Sequence, residues 1–539
     1  MSPPQQAFDY VVIGAGSAGC VLAARLSEDP DVRVLLVEAG GPVPWWKFSL
    51  HIPAAKGMAL TGSPFNWGHT TQPQTQLNDR CIPWYQGRAL GGSSAINGMV
   101  FVRGNPADYD TWAADPGLSD WNHAGVLPFF RKMEDHDPTD GSDLSVRGQG
   151  GPMKVRTASG ASPLSRVFVE AGTQAGHAEI ADMNGPNPEG VGLLDMNVHH
   201  GRRLSTWDAY MRPALGRANV TVWDHTQVVR LNINGGRCQG VALDRAGEAQ
   251  EVLALREVIL SAGTIGSAAM LLRSGIGPAD ELAALNIPVA LDLPGVGRNL
   301  HDHLQITVAH KCVQSVTLHA LSHRHMQLLT GLRWLLTRSG WGATNHFEAG
   351  GFVRSGDKAA WPDIQFQFTP HAMRRNGGGE LVGEQGYQVH AGPQRPMSRG
   401  RLWLRSADHR DAPLVDPRYL SEPDDWQGMR DALRLARDVF AQPAFSPYRG
   451  PELRPGSGVQ SRAEIDAYIR RSASSGYHPC GTCRMGSGPE AVVDGQLRLH
   501  GLDGLRVADG SVIPSIPSGN LNAPAIMIGE KAAALIRSG

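Results

Sequence analysis

The residues best suited to chemistry stand near the start of the chain. Gly14-Ala-Gly16-Ser-Ala-Gly19 follows the apolar, β-branched run Tyr10-Val-Val-Ile13, and Glu38 stands nineteen residues past the last glycine. This grouping suits a dinucleotide. Gly14 permits a tight turn, Gly16 lets the backbone approach a pyrophosphate, and Gly19 lets a helix lie close on a strand. The free N–H groups of that helix face the phosphates. Glu38 can accept hydrogen bonds from ribose hydroxyls, and its charge disfavours a 2′-phosphate. The fingerprint itself serves FAD and NAD equally. Further along, Gly91-Gly92-Ser93-Ser94 offers backbone N–H groups and hydroxyls to a phosphate or a planar ring. Two clusters carry less. Cys480-Gly-Thr-Cys483 has redox or metal spacing, but no second cysteine pair and no surrounding βαβ unit. His301-Asp-His303 puts two imidazoles on one strand face without further ligands, so no metal is expected.

These groups need elements to hold them. Tyr10–Ile13 and Val32–Val37 read as buried strands, with a helix from Cys20 to Ser27 between them. Residues 40 to 85, rich in Trp, Pro and Gln, read as an excursion over the surface. Val220–Trp223, Val228–Ile233 and Arg256–Leu260 read as strands, the last entering a second glycine turn at Gly263. Residues 310 to 465 differ: alternating runs such as Asp363–Phe368 and Gly400–Arg405 suggest half-buried antiparallel strands. Trp426, Met429, Leu433, Ala436 and Phe440 recur at helical spacing after Pro423 and predict a core helix. A helix near Gln327–Arg338 is apolar on one side. Core packing is the favoured reading of that side and membrane contact the alternative. Gly504-Leu-Arg-Val-Ala508-Asp509-Gly510 reads as strand, acid and turn, and a last helix begins near Ala525, with Pro524 in its first turn.

At 539 residues the chain exceeds one simple core. A formal charge of −1 and a hydrophobic fraction of 41% describe an ordinary globular balance, with no basic excess for nucleic acid. The N-terminal run lacks a basic start and an apolar stretch, so no signal peptide is expected. No apolar run is long enough to span a bilayer. Six scattered cysteines fit a reducing compartment. The location expected is cytoplasmic, with peripheral contact at the inner membrane as its variant.

The fingerprint, the Gly87–Gly98 loop, the Gly263–Gly277 turn and the segment from Tyr477 together resemble the glucose–methanol–choline (GMC) flavoprotein oxidoreductases over essentially the whole chain. Ala268 is a small departure, where the family usually carries proline or serine. Within the family the chain looks most like bacterial choline dehydrogenases and their primary-alcohol relatives, on Asn345–Phe352, Tyr477–Gly486 and Ser518–Pro524. The resemblance implies an α/β plus α+β architecture: a Rossmann-like FAD-binding domain (1–155, 220–309 and 466–539) and a discontinuous substrate domain (156–219 and 310–465) on an antiparallel sheet packed with helices. It implies FAD as cofactor, in contact with Gly14, Gly16, Ser17, Ala18, Glu38, Ala39, Arg88, Gly91, Gly92, Ser93, Asn97, Gly98, Val228, Ala262, Gly263, Asp509, Gly510, Asn522 and Ala523. Some members bind flavin covalently through a histidine at the position of Ile96, which cannot make that bond, so non-covalent FAD is expected.

The resemblance also implies that an alcohol is oxidised to an aldehyde by hydride transfer to flavin N5, with His478 taking the hydroxyl proton and Asn522 holding the alcohol oxygen. Glu348 would face a quaternary ammonium if the alcohol is choline. Pairing with an arginine and capping a backbone are its other readings, and neutral aliphatic or aromatic alcohols are the alternative substrates. Phe352, Phe366 and Phe368 line the pocket or fill the core. The dehydrogenase likeness implies a quinone or another carrier as acceptor and little oxygen consumption. An oxygen-using oxidase and a non-redox hydroxynitrile-lyase type are the rival readings.

Overall fold

The computed structural model describes residues 6–55, 63–138, 142–375 and 381–538. The first five residues of the N-terminal run lie outside them. Two seven-stranded sheets organise the chain. The first contains β1 (Gln6–Ile13), β2 (Val34–Val37), β3 (Val220–Trp223), β4 (Thr226–Asn234), β5 (Arg237–Arg245) and β6 (Glu248–Leu260). Its order is β3-β2-β1-β6-β5-β4, with the short strand Leu505–Val507 also paired to β6. β1, β2, β3, β6 and Leu505–Val507 are mutually parallel, while β4 and β5 form an antiparallel extension.

Register places the site. Ile13 pairs with Val37 and with Leu260, Leu260 pairs with Val507, and Val37 pairs with Trp223. The strands therefore end at one level, and the residues just beyond their ends share one rim: Gly14, Glu38, Ser261 and Ala508-Asp509. Ligands of open α/β sheets bind at that carboxyl rim. Helices α1 (Ser17–Leu26), α2 (Gly263–Arg273) and, from the far end of the sequence, α5 (Asn522–Ser538) begin there. α1 and α5 are tied by Arg25, whose guanidinium donates to the buried Glu530 carboxylate at 2.8–3.0 Å.

The second sheet holds β7 (Leu304–Cys312), β8 (Ala349–Val353), β9 (Ile364–Thr369), β10 (Gly386–Pro393) and β11 (Arg449–Arg454). Its order is β11-β7-β10-β9-β8, closed by Gly190–Leu193, all antiparallel. Strand alternation gives it two faces. Ile306, Val308, Val389, Ala391, Phe366 and Phe368 are fully buried. They pack toward helix α4 (Pro423–Ala441), whose Trp426, Met429, Leu433, Ala436 and Phe440 are buried at the predicted spacing. Phe168 of the helix Pro163–Gln174 stacks on Phe368 at 4.8 Å. Phe366 and Phe368 thus belong to the core and not to a pocket wall.

β7 begins at Leu304, so the second sheet takes in Gln305 and Thr307. Ser474–Ser475 also pairs with β7. One sequence expectation changes at helix α3 (Arg324–Thr337), where core packing was the favoured expectation. Only Trp334 is buried, while Leu328, Leu329, Leu332, Leu335 and Leu336 are exposed. Trp334 anchors the helix through its indole N–H, which donates to Gly201 O at 2.5 Å.

Candidate active site

A cavity of about 2420 Å³ runs from the rim of the first sheet to the polar face of the second. A drug-sized ligand needs roughly 300–1,000 Å³; this space suits a dinucleotide together with a substrate.

At the rim, Gly14 has φ +98°, and a Cβ there would lie 2.6 Å from Ser261 O. A Cβ on Gly19 would lie 1.8 Å from Gly14 O, so helix and turn require glycine at both places. Gly16 and Gly263 instead face open space, with no atom closer than 3.8 Å to the Gly16 Cβ position and none within 4 Å of that of Gly263. Gly16 caps α1 without a side chain, so the first N–H groups of the helix are left to a ligand. Asp509 accepts from Gly263 N (2.8 Å), Ser267 Oγ (2.6 Å) and Ser511 N (2.8 Å), which fixes the second glycine turn. Glu38 is buried and accepts from Ala15 N (2.9 Å) and Gly40 N (2.8 Å). Burial pushes its carboxyl up to about 7, against those N–H groups.

Most of the expected cofactor set lines this cavity: Gly14, Gly16, Ser17, Ala18, Glu38, Ala39, Arg88, Gly92, Ser93, Asn97, Gly98, Val228, Ala262, Gly263, Asp509, Gly510 and Asn522. Gly91 and Ala523 do not. The Gly91 N–H donates to Ala15 O at 2.8 Å, so the loop is pinned to the fingerprint through its backbone, and Ala523 is turned into the core. The residues present fit a flavin dinucleotide: Gly16 and Gly263 leave clearance, and the buried amide Nδ2 of Asn522 has no acceptor among the described residues.

At the other end of the cavity stands His478. Its Nε2 lies 3.0 Å from the amide Nδ2 of Asn520, and its Nδ1 lies 3.0 Å from Nδ1 of His303. The carboxamide expected there was Asn522. The structure instead brings Asn520 to the imidazole, while Asn522, in the first turn of α5, accepts from Ser17 Oγ at 2.8 Å. Two residues of separation across the loop-to-helix junction turn the two amides apart. The Oδ1 of Asn520 accepts from Nε2 of Gln367 (3.0 Å) and of Gln365 (3.3 Å). The sequence reading missed Asn520, Gln365, Gln367 and His303 as site residues. The alternation of Gln365 and Gln367 on one strand was visible, but not which loops that strand meets.

His303 Nε2 lies 2.9 Å from the carbonyl oxygen of Gln394 and must donate to it. His303 Nδ1 is then an acceptor, His478 Nδ1 carries the hydrogen between the two rings, and His478 Nε2 keeps a lone pair. Burial, followed by the neighbouring His303 imidazole, holds the His478 pKa well below the ordinary value. His303 is brought to about 4 by its own burial. The backbone N–H of His478 donates to Asp302 at 2.7 Å, and Ser475 Oγ donates to the same carboxylate at 2.5 Å, which anchors the loop. His301 spends both ring nitrogens inside the fold, on Asn299 O (2.6 Å) and on the N–H of Ile516 (2.8 Å). Cys480 and Cys483 are buried free thiols.

Glu348 does not reach the cavity. It is buried at the foot of β8, where it accepts from Thr344 Oγ1 at 2.8 Å and from Ser162 N at 3.4 Å. Phe352 is likewise buried, packed with Val100, Val102, Met183 and Leu194.

Comparison with known proteins identifies the scaffold. Family models described as GMC oxidoreductase match residues 8–305 and 396–529. The chain belongs to the GMC oxidoreductase family. An oxygen-dependent choline dehydrogenase of Pectobacterium carotovorum is 47% identical over 98% of this chain and 94% of its own length. One from Chromohalobacter salexigens is 45% identical over 98% and 95%. Among solved structures, pyridoxine 4-oxidase from Mesorbium loti aligns with TM-score 0.89 and 32% identity over 99% of both chains. A formate oxidase aligns with TM-score 0.92 and 26% identity over 100% of this chain and 99% of its own. This GMC member is accordingly an FAD-dependent oxidoreductase acting on an alcohol CH–OH donor.

Proposed function

We propose that this GMC oxidoreductase oxidises a primary alcohol to an aldehyde, with His478 as the base and Asn520 holding the alcohol oxygen. One observation carries the reading: the unprotonated Nε2 of His478 and the amide Nδ2 of Asn520 converge at 3.0 Å on the cavity that the glycine turns enter. The alcohol hydroxyl takes the place of that mutual bond: it donates its hydrogen to His478 Nε2 and accepts one from Asn520. As the proton leaves, negative charge grows on the oxygen, and the Asn520 N–H released from the imidazole faces it. Gln365 and Gln367 orient that amide, and His303 holds the imidazole in its tautomer. Bound FAD supplies the hydride acceptor at its N5. Bleaching of the flavin on anaerobic addition of an alcohol tests the reading. A colour unchanged across a panel of alcohols would favour the lyase-type alternative.

The cofactor is held without a covalent bond in this proposal. Ile96 is aliphatic and buried, and Asn522 serves the cofactor side through Ser17. Denaturation should release all flavin into solution.

The acceptor we propose is a lipid-borne quinone. The exposed leucines of α3 adjoin Trp45 and Trp46, which are 72% and 62% exposed, through ring contacts running from Trp45 to Phe48 and from Phe48 to the buried Trp334. Lys47, Arg324 and Arg333 flank them, and no Asp or Glu occurs in residues 39–78 or 305–347. An apolar patch rimmed by cations complements an anionic lipid surface. Gln327 of α3 lines the cavity, so this surface borders the site. No helix among the described residues is long and apolar enough to cross a membrane. Co-sedimentation with phosphatidylglycerol vesicles, lost in Leu332→Glu/Leu336→Glu, supports the surface. A stable dimer that covers the patch in solution replaces it. The relatives named oxygen-dependent bring oxygen as the rival acceptor. Peroxide formed at the rate of alcohol loss would establish it.

A further inference from the structure

The face of the second sheet turned to the cavity is a ladder of uncharged polar side chains. Thr307 pairs with His390 and His390 with Gln367, so these three lie in one row across β7, β10 and β9. Gln388 and Thr369 form part of the next row, and Gln305 precedes Thr307 by two residues on the same face. All of them line the cavity. Gln367 donates to Asn520, so this row adjoins the reacting carbinol.

The hydrogen bonds fix what each group leaves for a ligand. Gln367 spends its Nε2 on Asn520 Oδ1, which leaves its carbonyl oxygen as an acceptor. Gln305 directs its Nε2 to Ser475 O at 3.4 Å, which leaves the same. Gln388 accepts from Met373 N (2.9 Å), so its Nε2 donates to His390 Nε2 (3.1 Å). His390 Nδ1 then carries hydrogen toward Thr307 Oγ1 (3.2 Å), and the Thr307 hydroxyl keeps its own hydrogen to donate. Thr307 and Gln367 stand on β7 and β9, two strand spacings or about 10 Å apart, and Gln305 lies two residues before Thr307 on β7, so donor and acceptors are spread across a wall as wide as a ligand of several carbons. Among the described residues the cavity wall includes three carboxylates, and none serves this face. Glu38 and Asp509 sit at the nucleotide rim, and Asp411 accepts from Ser406. Glu348, the expected partner of a quaternary ammonium, is turned into the core.

We infer that the substrate is an uncharged alcohol carrying at least one further hydroxyl near the reacting carbinol, read by Gln305, Gln367 and Thr307, and not a quaternary ammonium alcohol. A trimethylammonium group has no N–H or O–H to give the two carbonyl oxygens, and among the described residues it meets no carboxylate on this face. The inference rests on the alcohol oxidation proposed above.

Anaerobic stopped-flow reduction of the flavin tests it, using holoenzyme with 1-propanol, 1,3-propanediol, glycerol, benzyl alcohol, hydroxymethyl-benzyl alcohol and choline. Each added hydroxyl is expected to raise the second-order rate of reduction about tenfold over its parent alcohol, with choline below the simple alkanol. Thr307→Val should shrink the glycerol-to-propanol ratio about tenfold, and Thr307→Ser should keep it. Binding to the oxidised enzyme, read by flavin absorbance, should move with the ratio. Choline as the best reductant, or a ratio near one in the native enzyme, overturns the inference and leaves the chemistry standing. A flavin reduced by none of these alcohols overturns both.

Discussion

Replacing Asn520 by alanine separates the two carboxamides of the last loop. The variant removes the amide that lies 3.0 Å from His478 Nε2 and that turns to the alcohol oxygen once the hydroxyl occupies the imidazole. It also strips Gln365 and Gln367 of their shared acceptor. A single preorganised donor to a developing oxyanion is worth about 2.7–4 kcal/mol, or about 10²–10³ in rate. The expected result is a fall of that size in the limiting rate of anaerobic flavin reduction, with flavin content unchanged. Asn522→Ala removes a different bond, to Ser17 Oγ at 2.8 Å, worth about 1 kcal/mol. Its expected effect is weaker flavin retention, with a reduction rate within about fivefold of native once flavin content is matched. The assay is stopped-flow reduction at saturating alcohol, with enzyme concentration set by flavin absorbance. A slow Asn522→Ala beside a native-like Asn520→Ala would refute the assignment and return catalysis to the helix terminus.

Further outcomes rest on the same geometry. Because His478 is held well below the ordinary histidine value by burial, its neutral form persists below pH 6.5. Protonation removes the base, so the rate of reduction should fall only as pH drops through that lowered value, and an inflection above about 7 would contradict it. Asn520→Asp places a carboxylate on Nε2 and should move the same limb upward. Glu348→Gln should leave the ranking of alcohols intact while lowering the melting temperature by a few degrees, about 1 kcal/mol. A changed ratio of choline to alkanol would restore it to the substrate. Arg147 is buried against Glu134, Asp182 and Asp195. Arg147→Met leaves Asp182 and Asp195 without a cation and Glu134 with Arg103 alone, and should cost about 3–5 kcal/mol in urea unfolding.

The nucleotide half of the fold was legible because its glycines answer to the backbone alone. Gly19 meets the carbonyl of Gly14 in its own turn, so spacing specifies it, and Gly14 is marked by its φ of +98° as well as by the approach of Ser261. Helix α4 was legible because its stripe faces one sheet. Helix α3 has a similar stripe, yet periodicity gives the side of a helix and not what lies opposite, and only Trp334 found a partner. Hairpin strand β5, half exposed and interrupted at Gly240, carries no clear alternation and was missed. Asn520 and Asn522 illustrate a finer limit. Both suit the chemistry, and the choice depends on where the loop ends and α5 begins. For Glu348, the bland alternative of capping backbone and hydroxyl groups is the one its neighbours satisfy. Gln305, Gln367 and His390 were unreadable as a set because they come from three strands joined only by register.

The Ser17–Asn522 bond joins residues 505 positions apart. One wall of the cofactor chamber is therefore finished only when α5 emerges and docks on α1 through Glu530. Vectorial synthesis delivers the glycine fingerprint long before its counterpart, so a nascent chain that has not yet reached α5 holds half a chamber. Prosthetic-group capture then waits for α5, and whatever the flavin contributes to endurance comes as a clasp between two parts made far apart in time.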